Sequence, residues 1–370
     1  MKRELLSLLG VVLLPGCVHF TNYDLTPGSQ PHVDKSGLPP TEHRGGSRDW
    51  GMSLSGGGIR SCAFSIGAMK ALYDRNYLDH LDIVSTVSGG GYAWYWLLSQ
   101  NDPNQRFGRA VFDDAIWPRK DSELQLLAKF VPPGLTFKCA VLPPPWPAHK
   151  YEEQILVFGQ SRYCTNEQEV LAENLSAARN QLLTSYLPDI RSGAIPFFIV
   201  NATLKTDRER AAKLIEISPA YIGNSTFGYH RWDTTNRCVL TAPKAIAISG
   251  AAIPRKLAQK VPDYINGRTK MTLYDGGGGP GAGANEGENL GAFALIRRGV
   301  PNVIIVDAEA DPNYEFGSYV KLKCLLEKQE GISLRVTNIE AHLNRPAGAE
   351  FNTAPFSIGS ATRAGVSSHF

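Results

Sequence analysis

Residues 83–92, Ile-Val-Ser-Thr-Val-Ser-Gly-Gly-Gly-Tyr, join a β-branched run to a helical pattern through one serine and three glycines. Residues 83–87 predict a strand, and the apolar residues over 92–98 predict a helix. A sharp strand-to-helix turn presents a serine at its tip, where the dipole of the following helix points at the hydroxyl. We therefore expect Ser88 to be a nucleophile, although a serine before three glycines also occurs in ordinary tight turns.

A second strand–glycine–helix unit precedes this one in the chain. Residues 51–55 form a short apolar run that stops at Gly56, Gly57 and Gly58, and apolar residues recur at helical spacing over 61–76. Glycines in such a loop can turn their N–H groups into a shared cleft that side chains would obstruct. The loop differs from a phosphate-binding P-loop, which needs Lys and then Ser or Thr where this chain has Ile59 and Arg60.

An acidic residue follows a third predicted strand. Residues 271–274 predict a short strand, and Asp275 comes directly after it, before Gly276 and Gly277. A carboxylate at this place can receive the proton of a serine hydroxyl, or it can simply cap a turn. The glycines that follow match a dinucleotide-binding fingerprint poorly, because Pro280 interrupts them and no amphipathic helix comes next.

Strands and helices alternate from residue 49 onward. Further strands are predicted at 196–204, 214–217 and 302–307, and a further helix at 288–298. The alternation predicts an α/β fold with helices on both faces of the sheet. Residues 101–190 interrupt the pattern, and we interpret them as an insertion or lid within one domain at 49–370.

The N-terminus carries a pattern typical of secretion. Lys2 and Arg3 precede an apolar run at 5–14, which is shorter than the roughly 20 residues needed to span a bilayer. The run ends in Leu-Pro-Gly-Cys, which resembles a bacterial lipobox with Cys17 as the lipidated residue. We interpret 1–16 as a lipoprotein signal peptide and 17–48 as the lipidated cysteine and a flexible tether. The alternative is an ordinary signal peptide with an incidental cysteine.

Composition narrows the possible partners. The formal net charge is +3, so charge gives no indication of a nucleic-acid partner. Six cysteines are present, and the five besides Cys17 show no zinc-ligand spacing. We expect no metal and no cofactor. Five is an odd number, so at least one of these thiols stays free or pairs with another chain.

Three motifs together resemble a known family. The segments Gly-Gly-Gly-Ile-Arg at 56–60, Val-Ser-Gly-Gly at 87–90 and Asp-Gly-Gly at 275–277 occur in the order found in the patatin-like phospholipase superfamily. They are most similar to its cytosolic phospholipase A2 branch, and the resemblance covers roughly residues 50–320. It implies a three-layer patatin-like α/β fold with a mostly parallel central sheet and helices on both faces.

The resemblance also implies roles for particular residues. Ser88 would be the nucleophile and Asp275 the base of a dyad without histidine, and Arg60 would bind the substrate phosphate. The oxyanion hole would consist of N–H groups of three glycines, Gly57, Gly58 and Gly89. Thr86 departs from the family pattern, which has glycine at that position of the turn, so crowding of the turn is expected.

The implied activity is hydrolysis of acyl esters of glycerophospholipids through a serine ester. The partners would be the lipid substrate and the membrane that holds Cys17, in a bacterial envelope and at the outer membrane where two membranes exist. Alternatives with the same dyad are a thioesterase, a neutral-lipid esterase and an acyltransferase. Further alternatives are a Ser-His-Asp triad with His230 or His342 as base, and a catalytically dead binding module.

The anchor can be tested by substitution. Cys17→Ser removes the thiol that accepts the lipid, so the variant should be unprocessed or released from membranes. Metabolic labelling with a fatty acid and membrane fractionation measure both outcomes. A wild-type protein that is soluble and carries no acyl chain would contradict the lipobox interpretation.

Overall fold

A computed structural model describes the chain in segments between residues 49 and 369. The described residues are 49–114, 117, 146–160, 177–204, 214–224, 228–232, 240–251, 259–261, 271–278, 287–309, 311, 313–344, 359–363 and 366–369. The predicted signal peptide, Cys17 and the tether lie outside them.

One sheet of twelve strands organises the fold. The strands are β1 (Trp50–Leu54), β2 (Ile83–Thr86), β3 (Phe197–Leu204), β4 (Leu214–Ile217), β5 (Tyr221–Asn224), β6 (Gly228–Arg231), β7 (Gln259–Val261), β8 (Met271–Tyr274), β9 (Asn302–Val306), β10 (Ser333–Val336), β11 (Gly359–Arg363) and β12 (Val366–His369). They are ordered β10-β11-β12-β9-β1-β2-β3-β4-β5-β6, and β8 pairs with both β3 and β7.

The centre of the sheet is parallel and its margins are antiparallel. Strands β12, β9, β1, β2 and β3 are parallel neighbours, with Met52 opposite Val84 on one side and Ile304 on the other. Antiparallel strands extend the sheet beyond β3 and beyond β12. The predicted α/β fold with a mostly parallel central sheet is confirmed. Carboxyl ends of parallel strands meet at one edge, so the loops after β1 and β2 lie together.

Helices connect and cover these strands. They are α1 (Gly58–Asp74), α2 (Gly89–Ser99), α3 (Arg109–Phe112), α4 (Trp146–Gln160), α5 (Leu187–Ser192), α6 (Ala242–Ser249), α7 (Phe293–Ile296), α8 (Gly317–Glu330) and α9 (Thr337–Leu343). Within the described residues, no helix is long and apolar enough to cross a membrane.

Strand β1 shows that both faces of the sheet are covered. The side chain of Leu54 lies against α2, where a Cβ added to Gly90 would be 2.7 Å from the Leu54 Cβ. Gly51 faces the opposite side, because side chains alternate along a strand. Its missing Cβ lies 3.1–3.2 Å from Val300 and Leu295, around the C-terminal end of α7. Helices therefore pack on both faces, as predicted.

The structure corrects one predicted element. The helix expected over 288–298 is shorter and spans only Phe293–Ile296. Gly291 has a φ of +72°, which an α-helix cannot contain. The Glu288 carboxylate accepts the N–H groups of Leu290 and Phe293 at 2.6 and 3.2 Å, so this segment is a capped turn. Apolar spacing alone did not reveal the interruption.

The interval 101–190 is described only in part. Its helix α4 packs against α2 and α6. Gly159 makes this close approach possible, because a Cβ there would lie 2.6 Å from a ring carbon of Tyr95. The α4 segment is therefore part of the packed core, and whether the interval also forms a lid stays a prediction.

A buried ionic network joins the antiparallel margin to α7. Glu216 of β4 accepts hydrogen bonds from Arg298 and, at 3.4 Å, from Arg297, and all three side chains are at most 4% exposed. The hydroxyls of Tyr221 and Tyr229 complete the network by contacting the two guanidinium groups. The two arginines hold the pKa of Glu216 below its usual range although burial opposes this. A buried charge needs such partners, since an unpaired one is strongly destabilising.

Removing the charge of Glu216 tests this network. Glu216→Gln leaves two buried guanidinium groups without their common carboxylate, and it should lower the free energy of unfolding by about 3–5 kcal/mol. Asp74→Asn is the matched control, because Asp74 pairs with Lys70 on an exposed helix surface and should cost about 0–1 kcal/mol. Urea denaturation measures both values. Equal losses in the two variants would contradict the assigned role of Glu216.

Candidate active site

Ser88 occupies a strained turn between β2 and α2. Its φ and ψ are 46° and −115°, a combination that residues other than glycine adopt rarely. The turn projects the residue at the carboxyl end of the parallel strands, and Ser88 is 7% exposed. Its hydroxyl lies close enough to the Asp275 carboxyl and the Tyr92 hydroxyl to oppose the rise in pKa that burial causes in both groups. The backbone is thus that of a nucleophile turn.

Thr86 fits this turn although the family pattern has glycine there. The residue is fully buried, and its hydroxyl donates to the carbonyl of Ile199 at 3.4 Å. A Cβ on Gly91 would lie 3.4 Å from the Thr86 hydroxyl, so the glycine of the next helix leaves room for the threonine. The expected crowding is therefore absent.

The two glycine loops meet at the N-termini of α1 and α2. A Cβ on Gly89 would lie 2.8 Å from the carbonyl carbon and 2.9 Å from the nitrogen of Gly58, which is closer than any side chain can come. A Cβ on Gly90 would similarly lie 2.6 Å from the carbonyl carbon of Leu54. Both glycines are required because two backbones, rather than a backbone and a side chain, make these contacts.

The contact between the two glycine loops places N–H groups beside Ser88. Gly58 and Gly89 are the first residues of their helices, so their N–H groups have no acceptor within the helix. Gly57 precedes Gly58 with a φ of +135°. Within the described residues, no acceptor contacts the N–H groups of these three glycines. The positive ends of two helix dipoles converge here, which favours a negative oxygen.

Asp275 ends β8 and faces Ser88. The residue is 7% exposed, and burial raises the pKa of its carboxyl to about 6. The Gly277 N–H at 2.8 Å, the Ser88 hydroxyl and the positive charge of Lys321 oppose this rise in pKa. The Thr203 hydroxyl donates to the Asp275 carbonyl at 2.7 Å and fixes the backbone. Asp275 is therefore a stronger base than an exposed aspartate and is still mostly ionised at neutral pH.

Arg60 lies beside the oxyanion loop. Its Nε and Nη2 atoms donate to the carbonyl of Ala308 at 3.3 and 3.1 Å, and its Nη2 atom is 3.7 Å from the position of a Cβ on Gly57. The residue is exposed. A guanidinium has five N–H donors, so the Ala308 contact fixes its position and leaves donors for a ligand. The geometry allows both a structural role and an anion-binding role.

The two histidines proposed as alternative bases lie elsewhere. His230 is in β6, four strands from β2 in the sheet order, and packs against Trp232. His342 is in α9 and contacts the rings of Tyr314 and Phe316. The acidic side chain close to the Ser88 hydroxyl is that of Asp275, which directly follows β8.

The sequence motifs did not indicate three features of the site. Tyr92 lies one helical turn after Ser88, and its hydroxyl contacts that of Tyr151 in α4. Tyr151 donates to the Gly250 carbonyl at 2.8 Å, so α4 reaches the nucleophile through two tyrosines. The spacing of four residues between Ser88 and Tyr92 was a usable signal, because such residues share a helix face. Nothing in the sequence indicated Tyr151.

Lys321 of α8 is the second missed feature. Partial burial lowers the pKa of Lys321. The nearby acids Glu288, Glu309 and Asp275 oppose this effect without cancelling it. Its positive charge lowers the pKa of Asp275. Burial raises the pKa of Glu288 to about 7, so the region behind Asp275 contains a second acid that titrates near neutrality.

The third missed feature is Ser249, at the end of α6. Its Oγ accepts the backbone N–H of Ser88 at 2.9 Å and donates to the carbonyl of Asn201 at 2.6 Å. No motif surrounds Ser249, so only the tertiary structure identifies it. Among the described residues, no group of three or more His, Cys, Asp or Glu side chains is arranged to hold a metal ion.

The site combines three chemical capabilities. A serine hydroxyl lies near a buried carboxylate of raised pKa, so it can lose its proton as it attacks. Unpaired N–H groups at two helix N-termini can bind a developing oxyanion. An exposed guanidinium at the same loop can bind a further anion. Together these features suit acyl transfer.

Two solved structures show a low similarity to this chain. The chain is similar to the solved structure of human GIVD cytosolic phospholipase A2, with 12% identity, a TM-score of 0.43, and coverage of 69% of this chain and 44% of that one. Similarity to VipD from Legionella pneumophila has 15% identity, a TM-score of 0.31, and coverage of 64% and 46%. This chain thus spans less than half the length of either structure. No curated protein matches the sequence.

A family model gives the decisive comparison. The model described as patatin-like phospholipase matches residues 52–277, which is more than half of the chain. The match begins in β1, includes both glycine loops and Ser88, and ends two residues after Asp275. The chain therefore belongs to the patatin-like phospholipase family of lipid hydrolases.

Proposed function

We propose that this protein hydrolyses acyl esters of glycerophospholipids through Ser88 and Asp275, while a lipid on Cys17 holds it at a membrane. The observation that carries the proposal is the proximity of the Ser88 hydroxyl to the buried Asp275 carboxyl, whose pKa it lowers, beside the converging N-termini of α1 and α2. Family membership supports the reaction class.

The first half of the reaction forms a serine ester. Asp275 takes the hydroxyl proton while Ser88 Oγ attacks the ester carbonyl carbon of the lipid. The carbonyl oxygen becomes negative, and the N–H groups of Gly57, Gly58 and Gly89 stabilise it. When the tetrahedral intermediate collapses, Asp275 returns the proton to the departing lysophospholipid alcohol. The pKa of about 6 suits both transfers, because Asp275 is ionised at neutral pH and still binds a proton well.

The second half releases the acyl chain. Asp275 takes a proton from a water molecule, which attacks the carbonyl carbon of the serine ester. The same N–H groups stabilise the second oxyanion. Collapse breaks the bond to Ser88 Oγ, which regains its proton from Asp275, and the fatty acid leaves. A single carboxylate therefore serves as base and acid in each half.

Arg60 supports a phospholipid as the substrate. Its guanidinium is exposed and lies beside Gly57, which precedes the first helix residue of the oxyanion loop. A guanidinium matches the oxygens of a phosphate diester with forked hydrogen bonds. We infer that the phosphate binds to Arg60 while the scissile ester lies at Ser88.

The location of the protein follows from the predicted anchor. A lipid on Cys17 and a tether of about 30 residues would let the catalytic domain reach the surface of the bilayer. The carboxyl edge of the sheet, which holds Ser88, would then face lipid. We propose a lipid-anchored protein of the bacterial envelope, at the outer membrane where the cell has two membranes.

Substitution of the dyad tests the proposed mechanism. Ser88→Ala removes the attacking oxygen and should reduce fatty-acid release from a defined phospholipid to a few per cent of wild type or less. Asp275→Asn should lower kcat by about 10²–10⁴-fold, since the amide cannot accept the proton. Wild-type kcat/KM should fall as the pH drops below about 6, where Asp275 becomes protonated.

His230→Ala and His342→Ala are the controls for the dyad. Both should keep the wild-type rate, because neither histidine hydrogen bonds to Ser88. A histidine variant as inactive as Asp275→Asn would replace the dyad with a triad. An active Ser88→Ala enzyme would refute the proposed function as a whole.

The ratio of two activities tests the role of Arg60. Arg60→Lys keeps the charge but loses the forked geometry, so activity on phospholipid should fall by about one to two powers of ten. A p-nitrophenyl acyl ester has no phosphate, and its hydrolysis should change much less. Equal losses on the two substrates would mean that Arg60 only holds the loop through Ala308. Such a result would count against phosphate recognition by this residue.

A further inference from the structure

We propose that Ser249 is a positioning residue for the dyad, with its hydroxyl holding Ser88 and its backbone carbonyl holding the loop after Asp275. The inference rests on the proposed function of Ser88 and Asp275, and it adds a residue that belongs to none of the three family motifs. Ser249 is the last residue of α6 and is completely buried. It touches neither the predicted oxyanion site nor Arg60, so any effect on the reaction must pass through the dyad.

The first observation concerns the strain at Ser88. A non-glycine residue at φ 46° and ψ −115° persists only when its surroundings hold it there. The Ser88 N–H donates to Ser249 Oγ at 2.9 Å. This is the hydrogen bond that fixes the nucleophile's own peptide nitrogen, and it ties that nitrogen to a different helix from the one Ser88 precedes.

The second observation concerns the proton of Ser249. Its hydroxyl donates to the Asn201 carbonyl of β3 at 2.6 Å, so the lone pair that receives the Ser88 N–H has a fixed direction. The Asn201 side-chain amide in turn donates to the Ser85 hydroxyl and the Thr86 carbonyl, both at 2.9 Å. Hydrogen bonds thus connect β2 to Asn201 of β3, Asn201 to Ser249 of α6, and Ser249 to Ser88, which lies two residues after β2.

The third observation concerns Asp275. The carbonyl of Ser249 accepts the Gly276 N–H at 3.0 Å, and the carbonyl of Ala251 accepts the Asp275 N–H at 3.4 Å. The last carbonyls of a helix have no N–H donor within the helix, so α6 has these groups available. Gly276 also lies close to Asn201, where a Cβ would come within 3.0 Å of the Asn201 carbonyl carbon. Ser249 therefore contacts the backbone on both sides of the dyad.

These contacts assign a function to one residue. Its hydroxyl oxygen fixes Ser88 and its backbone carbonyl fixes the loop that follows Asp275, so the distance between nucleophile and base depends on Ser249. Misplacement of a reacting group by about 1 Å can cost on the order of 10²-fold in rate. Substrate binding should be unaffected, since the hydrogen bonds of Ser249 go to backbone groups of Ser88, Asn201 and Gly276.

The experiment compares three substitutions at this position. Ser249→Ala removes the hydroxyl, and Ser249→Cys keeps the size but replaces it with a weak acceptor. Both should lower kcat by about 10- to 100-fold on phospholipid and on a p-nitrophenyl ester, with KM unchanged. Ser249→Thr retains the hydroxyl and should recover most of the lost kcat. Initial rates are normalised to the folded fraction measured by near-ultraviolet circular dichroism.

Ser218→Ala is the matched control. The Ser218 hydroxyl is equally buried, accepts the N–H groups of Ala220 and Tyr221, and donates to the Tyr221 carbonyl, but it lies in the turn between β4 and β5. The control should lower the melting temperature as much as Ser249→Ala does and leave kcat unchanged. This outcome separates a positioning role from a general loss of stability.

Several results would overturn the inference. Wild-type kcat in folded Ser249→Ala or Ser249→Cys would refute it, and so would equal losses of kcat in Ser249→Ala and Ser218→Ala. Should the alanine variant not fold, the cysteine variant decides the question alone. An inactive Ser88→Ala enzyme together with an active Ser249→Cys enzyme would refute only this inference. Activity in Ser88→Ala would instead refute the proposed function.

Discussion

The contact between the N-termini of α1 and α2 is the constraint on which the rest of the site depends. Gly89 approaches Gly58 so closely that a Cβ on Gly89 would overlap the Gly58 backbone, and Gly58 itself has a φ of +63°, which favours glycine. This approach is possible because β1 and β2 are adjacent parallel strands whose loops leave the sheet at the same edge. It brings the unpaired N–H groups of two helices to one place, next to Ser88, which precedes α2 in an unusual backbone conformation.

The electrostatics of the site follow from that arrangement. Burial disfavours the charge of Asp275, whereas the Gly277 N–H, the Ser88 hydroxyl and Lys321 favour it, so the pKa of Asp275 is set by opposing influences. The outcome is a carboxylate whose pKa is raised to about 6, with Lys321 behind it limiting the rise. Elsewhere the molecule buries charge in another way, because Glu216 is paired with two arginines and its pKa is lowered. One buried acid thus has a raised pKa and the other has a lowered pKa.

Much of the fold was predictable from local patterns. Strands β1, β2, β3, β4, β8 and β9 lie where β-branched or apolar runs predict them, since a strand buried on both faces needs such residues. The helix predicted over 288–298 was mostly wrong, because Gly291 and the Glu288 cap interrupt a regular apolar pattern. The antiparallel margins were not predicted, since short strands such as β5 and β6 have no distinctive composition. Their pairing depends on partners far along the chain.

The sequence by itself determined the family, the α/β class and the candidate residues Ser88, Asp275 and Arg60, because each lies in a glycine-rich motif whose backbone demands are local. Only the tertiary structure decided which groups support them. Ser249, Tyr151 and Lys321 stand in ordinary segments, and they reach the site because α6, α4 and α8 pack around the same edge of the sheet. A glycine needed for a turn leaves a local signal in the chain, whereas a hydrogen bond between residues 161 positions apart leaves none.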